Sequence, residues 1–223
     1  MSKGLFITLE GGEGCGKTTQ ADKLCEWMKN RKISYIRTKE PGSSFIRECV
    51  KIRNLLLDAE NDIVPLSELF LFLADRAQHV ERLIRPELEK GNHVICDRYA
   101  DSTRVYQCAR GLSRCKIDVL IDFATSNLVP DLTFILDIPV DVGLERAKAK
   151  SNGAGDRIEQ AEVKFHEDVR HGFLKLAESI QEEHRFQIVN AAPPKTIEEI
   201  HEEITKHLSK KLWISGVTGE KDG

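Results

Sequence analysis

Two rhythms of apolar residues alternate along this chain. Gly4 to Leu9 is largely apolar and extended in character, glycines follow, and Thr18 to Lys32 then carries Ala21, Leu24, Cys25 and Met28 at helical spacing. That pattern predicts a strand, a glycine loop and a helix. Ser34 to Thr38 predicts a second short strand, Glu40-Pro41-Gly42 a turn, and Phe45 to Asp58 a helix. From Ser67 to Lys90, Leu69, Phe72, Leu73, Ala77, Val80 and Ile84 recur every three or four residues, which predicts one long helix, kinked near Pro86 and ended by Gly91. His93 to Cys96 and Leu132 to Ile138 are apolar runs between charged or turn residues, as expected of strands buried on both faces of a parallel sheet, with helices in the interval. Val140 to Lys150 and Ala161 to His184 read as further helices, Gln187 to Val189 as a last strand and Thr196 to Leu208 as a closing helix.

Strands separated by helices predict an α/β fold: a parallel sheet of about five strands with helices on both faces, and ligands beyond the carboxyl ends of the strands. The 223 residues are too few for two ordinary domains and a linker, so one domain is expected over residues 1–210, followed by a flexible tail over 211–223. Ser151 to Gly155, with two glycines among small residues, is the segment expected to be mobile. Hydrophobic residues make up 40% and charged residues 31%, and 33 basic against 36 acidic residues leave a formal charge of -3. Neither a nucleic-acid nor a membrane partner is expected from that balance. The six cysteines (Cys15, Cys25, Cys49, Cys96, Cys108 and Cys115) form no CxxC pair and are expected as reduced thiols. Met1 to Gly4 runs into an apolar stretch too short for a signal sequence or a span, so a cytoplasmic location is expected.

Gly11 to Thr18 reads GGEGCGKT, the G-x-x-x-x-G-K-[ST] pattern, and it lies between a predicted strand and a predicted helix. Gly11, Gly12, Gly14 and Gly16 permit the backbone turns that converge amides on phosphate oxygens, with Glu13, Cys15, Lys17, Thr18 and Thr19 completing the loop. Lys17 is placed to reach the β and γ phosphates of ATP, and the Thr18 hydroxyl to ligate Mg²⁺. Such a loop serves kinases, GTPases and motor ATPases alike. No NKxD or DxxG element and no LSGGQ signature accompanies it.

Six segments narrow the choice: LEGGEGCGKTTQ, KEPG, IRNLLLD, FLADRAQH, DRYADSTRVYQ and DRIEQ occur in that order. Together they resemble bacterial thymidylate kinases, from Phe6 to about Leu208. The resemblance implies a P-loop NTPase-type sheet with a short mobile lid, at about residues 146–158, and transfer of the γ-phosphate of ATP to dTMP. It also implies a homodimer paired through helices. Phe72 matches the aromatic that stacks on thymine, a contact typically worth about 1 to 3 kcal/mol. Arg76, one helical turn on, matches the donor to the thymine O4, where cytosine would present an amino group. Thr103 and Gln107 match positions at the pyrimidine edge, although YQCARG is one residue shorter than usual and Gln107 could instead stabilise the loop. Tyr106 matches a residue whose bulk disfavours a ribose 2′-hydroxyl. Glu13 matches the acceptor of the sugar 3′-hydroxyl, Arg53 and Arg98 match phosphate ligands, and Asp97 orients Mg²⁺ through water or steadies the arginines.

The acceptor oxygen of a monophosphate is already anionic, so no strong base is required and catalysis rests on alignment and charge neutralisation. Arg146, Lys148, Lys150 and Arg157 flank the glycine segment. The resemblance implies that such a lid donates a catalytic arginine where the P-loop has none, as Gly14 here leaves it, and Arg146 and Arg157, the lid's only arginines, are expected to carry that role. Lys148, Lys150 and Lys39 stand where relatives often carry arginine, a better bidentate donor. Asn190 to Pro194 falls where relatives place the adenine. The alternatives left open are a kinase for another pyrimidine monophosphate or a deoxynucleoside, or a catalytically silent nucleotide-binding regulator.

Overall fold

The computed structural model describes residues 3–150, 155–178 and 184–214. The elements run β1 (Phe6–Glu10), α1 (Lys17–Asn30), β2 (Tyr35–Lys39), α2 (Arg47–Leu57), α3 (Pro65–His79), a π-helical turn (Val80–Ile84), α4 (Arg85–Glu89), β3 (His93–Asp97), α5 (Ala100–Ala109), α6 (Arg114–Thr125), β4 (Leu132–Asp137), α7 (Val140–Lys150), α8 (Val163–Ala177), β5 (Phe186–Asn190) and α9 (Ile197–Ile214). The strands form one five-stranded sheet in the order β2-β3-β1-β4-β5, every pairing parallel. β1 lies at the centre, with Phe6 opposite Val94 of β3 and Ile7 opposite Leu132 of β4.

Alternate side chains of the central strands serve opposite faces, which is why the strands read as unbroken apolar runs. Ile7, Leu9, Ile95 and Phe134 pack with Leu24 and Met28 of α1 and Ile204 and Leu208 of α9. Phe6, Val94 and Cys96 point the other way, onto Leu69 and Leu73 of α3 and Ile117 and Ile121 of α6. A third cluster joins Val105 and Tyr106 of α5 to Val169 and Phe173 of α8. The sheet is thus covered on both sides, and its carboxyl edge is left open between the β1, β3 and β4 loops.

Three boundaries depart from the periodicity. Around Pro86 the long helix is interrupted by a wider turn, where the Arg85 amide bonds to the Val80 carbonyl five residues back. Pro86 has no N–H to offer the Arg82 carbonyl, so the ladder is rerouted through one π turn. α8 ends at Ala177, and α9 continues to Ile214, past Leu208, because Leu212 still finds the α1 side of the core. Residues 151–154 of the expected loop, 179–183 of the expected helix and 215–223 of the expected tail lie outside the described residues.

Candidate functional site

The loop after β1 turns through positive φ at Gly11 (135°), Gly14 (64°) and Gly16 (96°), and α1 begins directly at Lys17. Its amides therefore surround the amino end of a helix, where partial positive charge collects. Gly14 is also pressed against α7: a Cβ there would lie 2.0 Å from the Gly143 carbonyl oxygen, and one on Gly143 would lie 2.5 Å from that of Glu13. Lys17 is folded back onto the loop, donating to the Gly12 carbonyl at 2.6 Å and the Gly11 carbonyl at 3.2 Å.

This loop forms one wall of a cavity of about 790 Å³ at the carboxyl edge of the sheet. Glu13 to Gln20 line it, followed by the end of β2 and the KEPG turn, Arg53 of α2, Phe72 and Arg76 of α3, Asp97 to Tyr99, Ser102, Thr103 and Tyr106 of α5, and Arg146 and Lys150 of α7. Nine lysine and arginine side chains line the wall against five aspartates and glutamates, so a chain of net charge -3 carries a cationic cleft. Lys39 registers that field directly: burial lowers its pKa and the neighbouring Arg53 lowers it further. Such a cleft suits a polyanion.

Glu13 receives Arg98 Nη2 and the Tyr106 hydroxyl, both at 2.7 Å and both on Oε1. Burial alone would raise its pKa, yet the Arg98 and Lys17 charges overcome that and hold it at about 2. Arg98 also donates through Nη1 to the Gly11 carbonyl at 2.9 Å and lies over the Tyr106 ring at 5.2 Å. Its backbone is in the left-handed region (φ 70°), a strained conformation for an arginine that aims the side chain back over the P-loop. On the far side of the strand end, Thr18 Oγ1 donates to Asp97 Oδ2 at 2.8 Å. A hydroxyl and a carboxylate side by side at a phosphate loop are the hard oxygen donors that Mg²⁺ takes, so these residues fit that ion.

Across the cleft, Arg76 is 1% exposed and each of its nitrogens is committed. Nε donates to Glu40 at 2.8 Å, Nη1 to Thr103 Oγ1 at 2.8 Å and Nη2 to the Tyr99 carbonyl at 3.0 Å, leaving one N–H on each terminal nitrogen for a ligand. Glu40 also accepts from His79 at 2.9 Å, and His79 meets Thr38 at 2.7 Å. Burial would raise the Glu40 pKa, and Arg76 and His79 hold it below the usual carboxylate range. Arg53 Nη1 donates to the Pro41 carbonyl at 2.9 Å, so the KEPG turn orients both arginines.

Four expected site residues lie off the cavity wall: Gln107, Arg157, Gly11 and Gly12. Gln107 is fully buried and does not line the cavity; its Nε2 donates to Glu68 at 2.7 Å. Arg157 does not line it either, although its neighbours Asp156 and Ile158 do. Its guanidinium turns away to bond Glu68 and the Leu56 carbonyl, capping the carboxyl end of α2. Of the P-loop residues, Gly11 and Gly12 stand behind the cavity wall, while Glu13 to Thr19 are on it. Conversely, Glu10, Glu40 and Glu68 escaped the sequence reading. Glu10 ends β1 and accepts from the Tyr99 amide at 2.7 Å and Ser102 Oγ at 2.6 Å, fixing the loop that carries Arg98. Burial and the nearby Asp101 raise its pKa to about 7. The only trace of these three in the sequence is their place beside recognisable segments, LEGG, KEPG and the start of α3.

Comparison with known proteins accords with this geometry. Residues 9–204 match the family model described as Thymidylate kinase. A thymidylate kinase of Desulfosudis oleivorans is 47% identical over 197 residues, which covers 85% of this chain and 90% of that protein. One from Carboxydothermus hydrogenoformans is 45% identical over 218 residues, covering 97% of this chain and 100% of its own length, and one from Geotalea daltonii is 48% identical over 194 residues, covering 84% and 89%. With a phosphate loop, an arginine-lined cleft and an aromatic slot on one sheet edge, and with these matches over most of its length, the chain belongs to the thymidylate kinase family.

Proposed function

We propose that the protein transfers the γ-phosphate of ATP to dTMP, giving ADP and dTDP. The observation that carries this reading is a single cationic cavity with the P-loop on one wall and Phe72, Arg76 and Thr103 on the other. ATP phosphates lie along the P-loop amides, and Lys17 leaves the Gly11 and Gly12 carbonyls to meet them. Thr18 and Asp97 would hold Mg²⁺, which when bound would neutralise phosphate charge. The dTMP phosphate meets Arg53 and Arg98, its sugar hydroxyl the free Oε2 edge of Glu13, and Tyr106 crowds the 2′ position. Phe72 stacks on the base, and the remaining N–H groups of Arg76 meet the thymine O4. Because the attacking phosphate oxygen carries its own charge, these residues act by alignment and by stabilising the dispersed charge of the transferred group. Arg146 and Lys150, one turn apart on α7, bring that charge from the β4 side, and Arg146 takes the catalytic arginine role.

The test is ADP release across dTMP, dUMP, UMP, CMP and thymidine with saturating ATP and Mg²⁺, repeated with a chelator. A dTMP to CMP ratio in kcat/KM on the order of 10⁴ is expected, since a base that leaves Arg76 unpaired is rejected strongly. Thymidine should not turn over, and chelation should abolish activity. Comparable rates on UMP and CMP, or binding of ATP and dTMP without turnover, would replace this reading by a broader kinase or a silent regulator.

We further propose a homodimer through α3 and α6, which pack together and leave Leu66 and Phe70 of α3 and Val119 and Phe123 of α6 exposed, Phe123 at 87%. An apolar surface of that kind asks for cover. Phe123→Asp is expected to halve the mass seen by light scattering; a wild-type monomer, or a dimer unaffected by the substitution, would place the interface elsewhere. A cytoplasmic location is supported by six cysteines that are all free thiols, as in a reducing compartment.

A further inference from the structure

The peptide unit between Pro41 and Gly42 is gripped at both ends. Its carbonyl accepts from Arg53 Nη1 at 2.9 Å, and its N–H donates to the Asp75 carboxylate of α3, at 3.1 Å from Oδ1 and 3.2 Å from Oδ2. A trans peptide sends its C=O and N–H in opposite directions, so guanidinium and carboxylate hold this unit from opposite sides. Arg53 is also pressed onto it sideways: Gly42 has φ 82°, and a Cβ there would lie 2.5 Å from both Cβ and Cδ of Arg53. The stem and one nitrogen of Arg53 are thus seated on the turn, and its other N–H groups remain for the cleft that it lines.

Asp75 is an expensive residue in that place. It is 1% exposed, it does not line the cavity, and among the described residues no lysine or arginine forms an ion pair with it. Burial and the neighbouring Glu40 raise its pKa to about 6. A buried carboxylate answered by a backbone amide instead of a cation adds little to stability. What it does add is direction. A negative charge on the N–H side polarises the peptide, which makes the Pro41 carbonyl a stronger acceptor for the guanidinium on the other side. One residue earlier, Glu40 holds Arg76, so the KEPG turn seats one arginine by a side chain and the other by its backbone.

We infer that Asp75 is a positioning residue for the acceptor phosphate: acting through the Pro41–Gly42 peptide, it holds Arg53 in the attitude from which the guanidinium meets that phosphate. Its influence ends there. Arg76, at the base end of the slot, is held by a separate set of bonds, to Glu40, Thr103 and the Tyr99 carbonyl. Loss of the Asp75 carboxylate therefore weakens the grip on the phosphate and spares the grip on the nucleoside. The inference rests on the dTMP kinase reading given above and adds to it a residue that lies outside the cavity.

The experiment is calorimetric binding of dTMP and of thymidine, which lacks the phosphate, at pH 8, where Asp75 is ionised. It compares wild type with Asp75→Ala, Asp75→Asn, Arg53→Ala and the D75A/R53A double variant. D75A is expected to weaken dTMP at least about tenfold and thymidine by less than about twofold. D75N keeps an oxygen for the Gly42 amide without the charge, so it should lose at least about threefold on dTMP. R53A should lose as much as D75A or more, and the double variant little beyond R53A, since both act on one contact. Unchanged dTMP affinity in D75A, an equal loss for dTMP and thymidine, or additive losses in the double variant would overturn the inference. Should D75A fail to fold, unchanged dTMP affinity in D75N overturns it as well. An R53A variant that binds dTMP like wild type would instead sink the placement of the phosphate, and with it the reading on which the inference rests.

Discussion

Lys17→Ala is expected to lower kcat on the order of 10³-fold, about 4 kcal/mol of lost transition-state stabilisation, while dTMP binding changes by less than about threefold. Lys17 is 7% exposed, and among the described residues its hydrogen bonds go to the Gly11 and Gly12 carbonyls and to the Cys15 sulfur, the last at 3.3 Å. Weak partners of this kind hold the ammonium ready without competing strongly against phosphate. Among the described residues no other cation on that wall starts from within the loop: Arg98 follows β3 and Arg146 comes from α7. The base slot proposed above draws on Phe72, Arg76 and Thr103 of α3 and α5 rather than on Lys17, which is why the loss should fall on turnover. Steady-state kinetics at saturating substrates together with calorimetric dTMP binding check this. A kcat within tenfold of wild type would show that the loop amides and the arginines suffice.

The second large effect is on stability. Glu40→Ala removes the acceptor for Arg76 Nε and His79 Nδ1, both fully enclosed, and leaves a guanidinium charge in the interior. Breaking a buried pair from one side costs about 3–5 kcal/mol, which for a chain of this size lowers Tm by roughly 6–20 °C. The pH dependence has a defined sign. Because the folded-state pKa of Glu40 is depressed below its ordinary 4.5, its contribution is complete above that value and is lost as the pH falls. The gap between wild type and variant should therefore be full at pH 7 and narrow in acid. Thermal unfolding at pH 7 and below pH 4 measures both, and a gap that widened in acid would contradict the assignment. The same substitution frees Arg76 from its place above Thr103, so residual enzyme should also lose preference for dTMP.

Much of this architecture was readable before any coordinates. β1, the glycine loop and α1 were legible because a local motif and two periodicities agree over residues 4–32, and the strands because burial on both faces leaves no polar interruption. α5 was harder to delimit. Asp101, Thr103, Arg104 and Gln107 are polar and look like surface, yet all are buried, Asp101 against Arg104 and against Arg185, which is distant in sequence. Arg157 misled for a related reason. Its place next to a glycine segment suggested a cation for the cleft, but the open carbonyls at the end of α2 and the carboxylate of Glu68 compete for it, and neither is visible from DRIEQ. Phe72 and Arg76 were accessible because FLADRAQH resembles the family's segment and helical spacing puts the two on one face. The acids that hold their partners, Glu40 and Glu68, belong to tertiary pairings that no spacing rule reports.

The contact between Gly14 and Gly143 restricts how the charge of this site could ever be redistributed. The first atom of any side chain at position 14 would fall inside the backbone of α7, at 2.0 Å from an oxygen, and the positive φ there disfavours such a residue in any case. A cation rooted in the loop and a helix seated where α7 sits are competing occupants of one volume. To move the positive charge that we assign to Arg146 into the loop, a lineage would have to withdraw α7 first, and so displace the proposed donor before a new one could be installed.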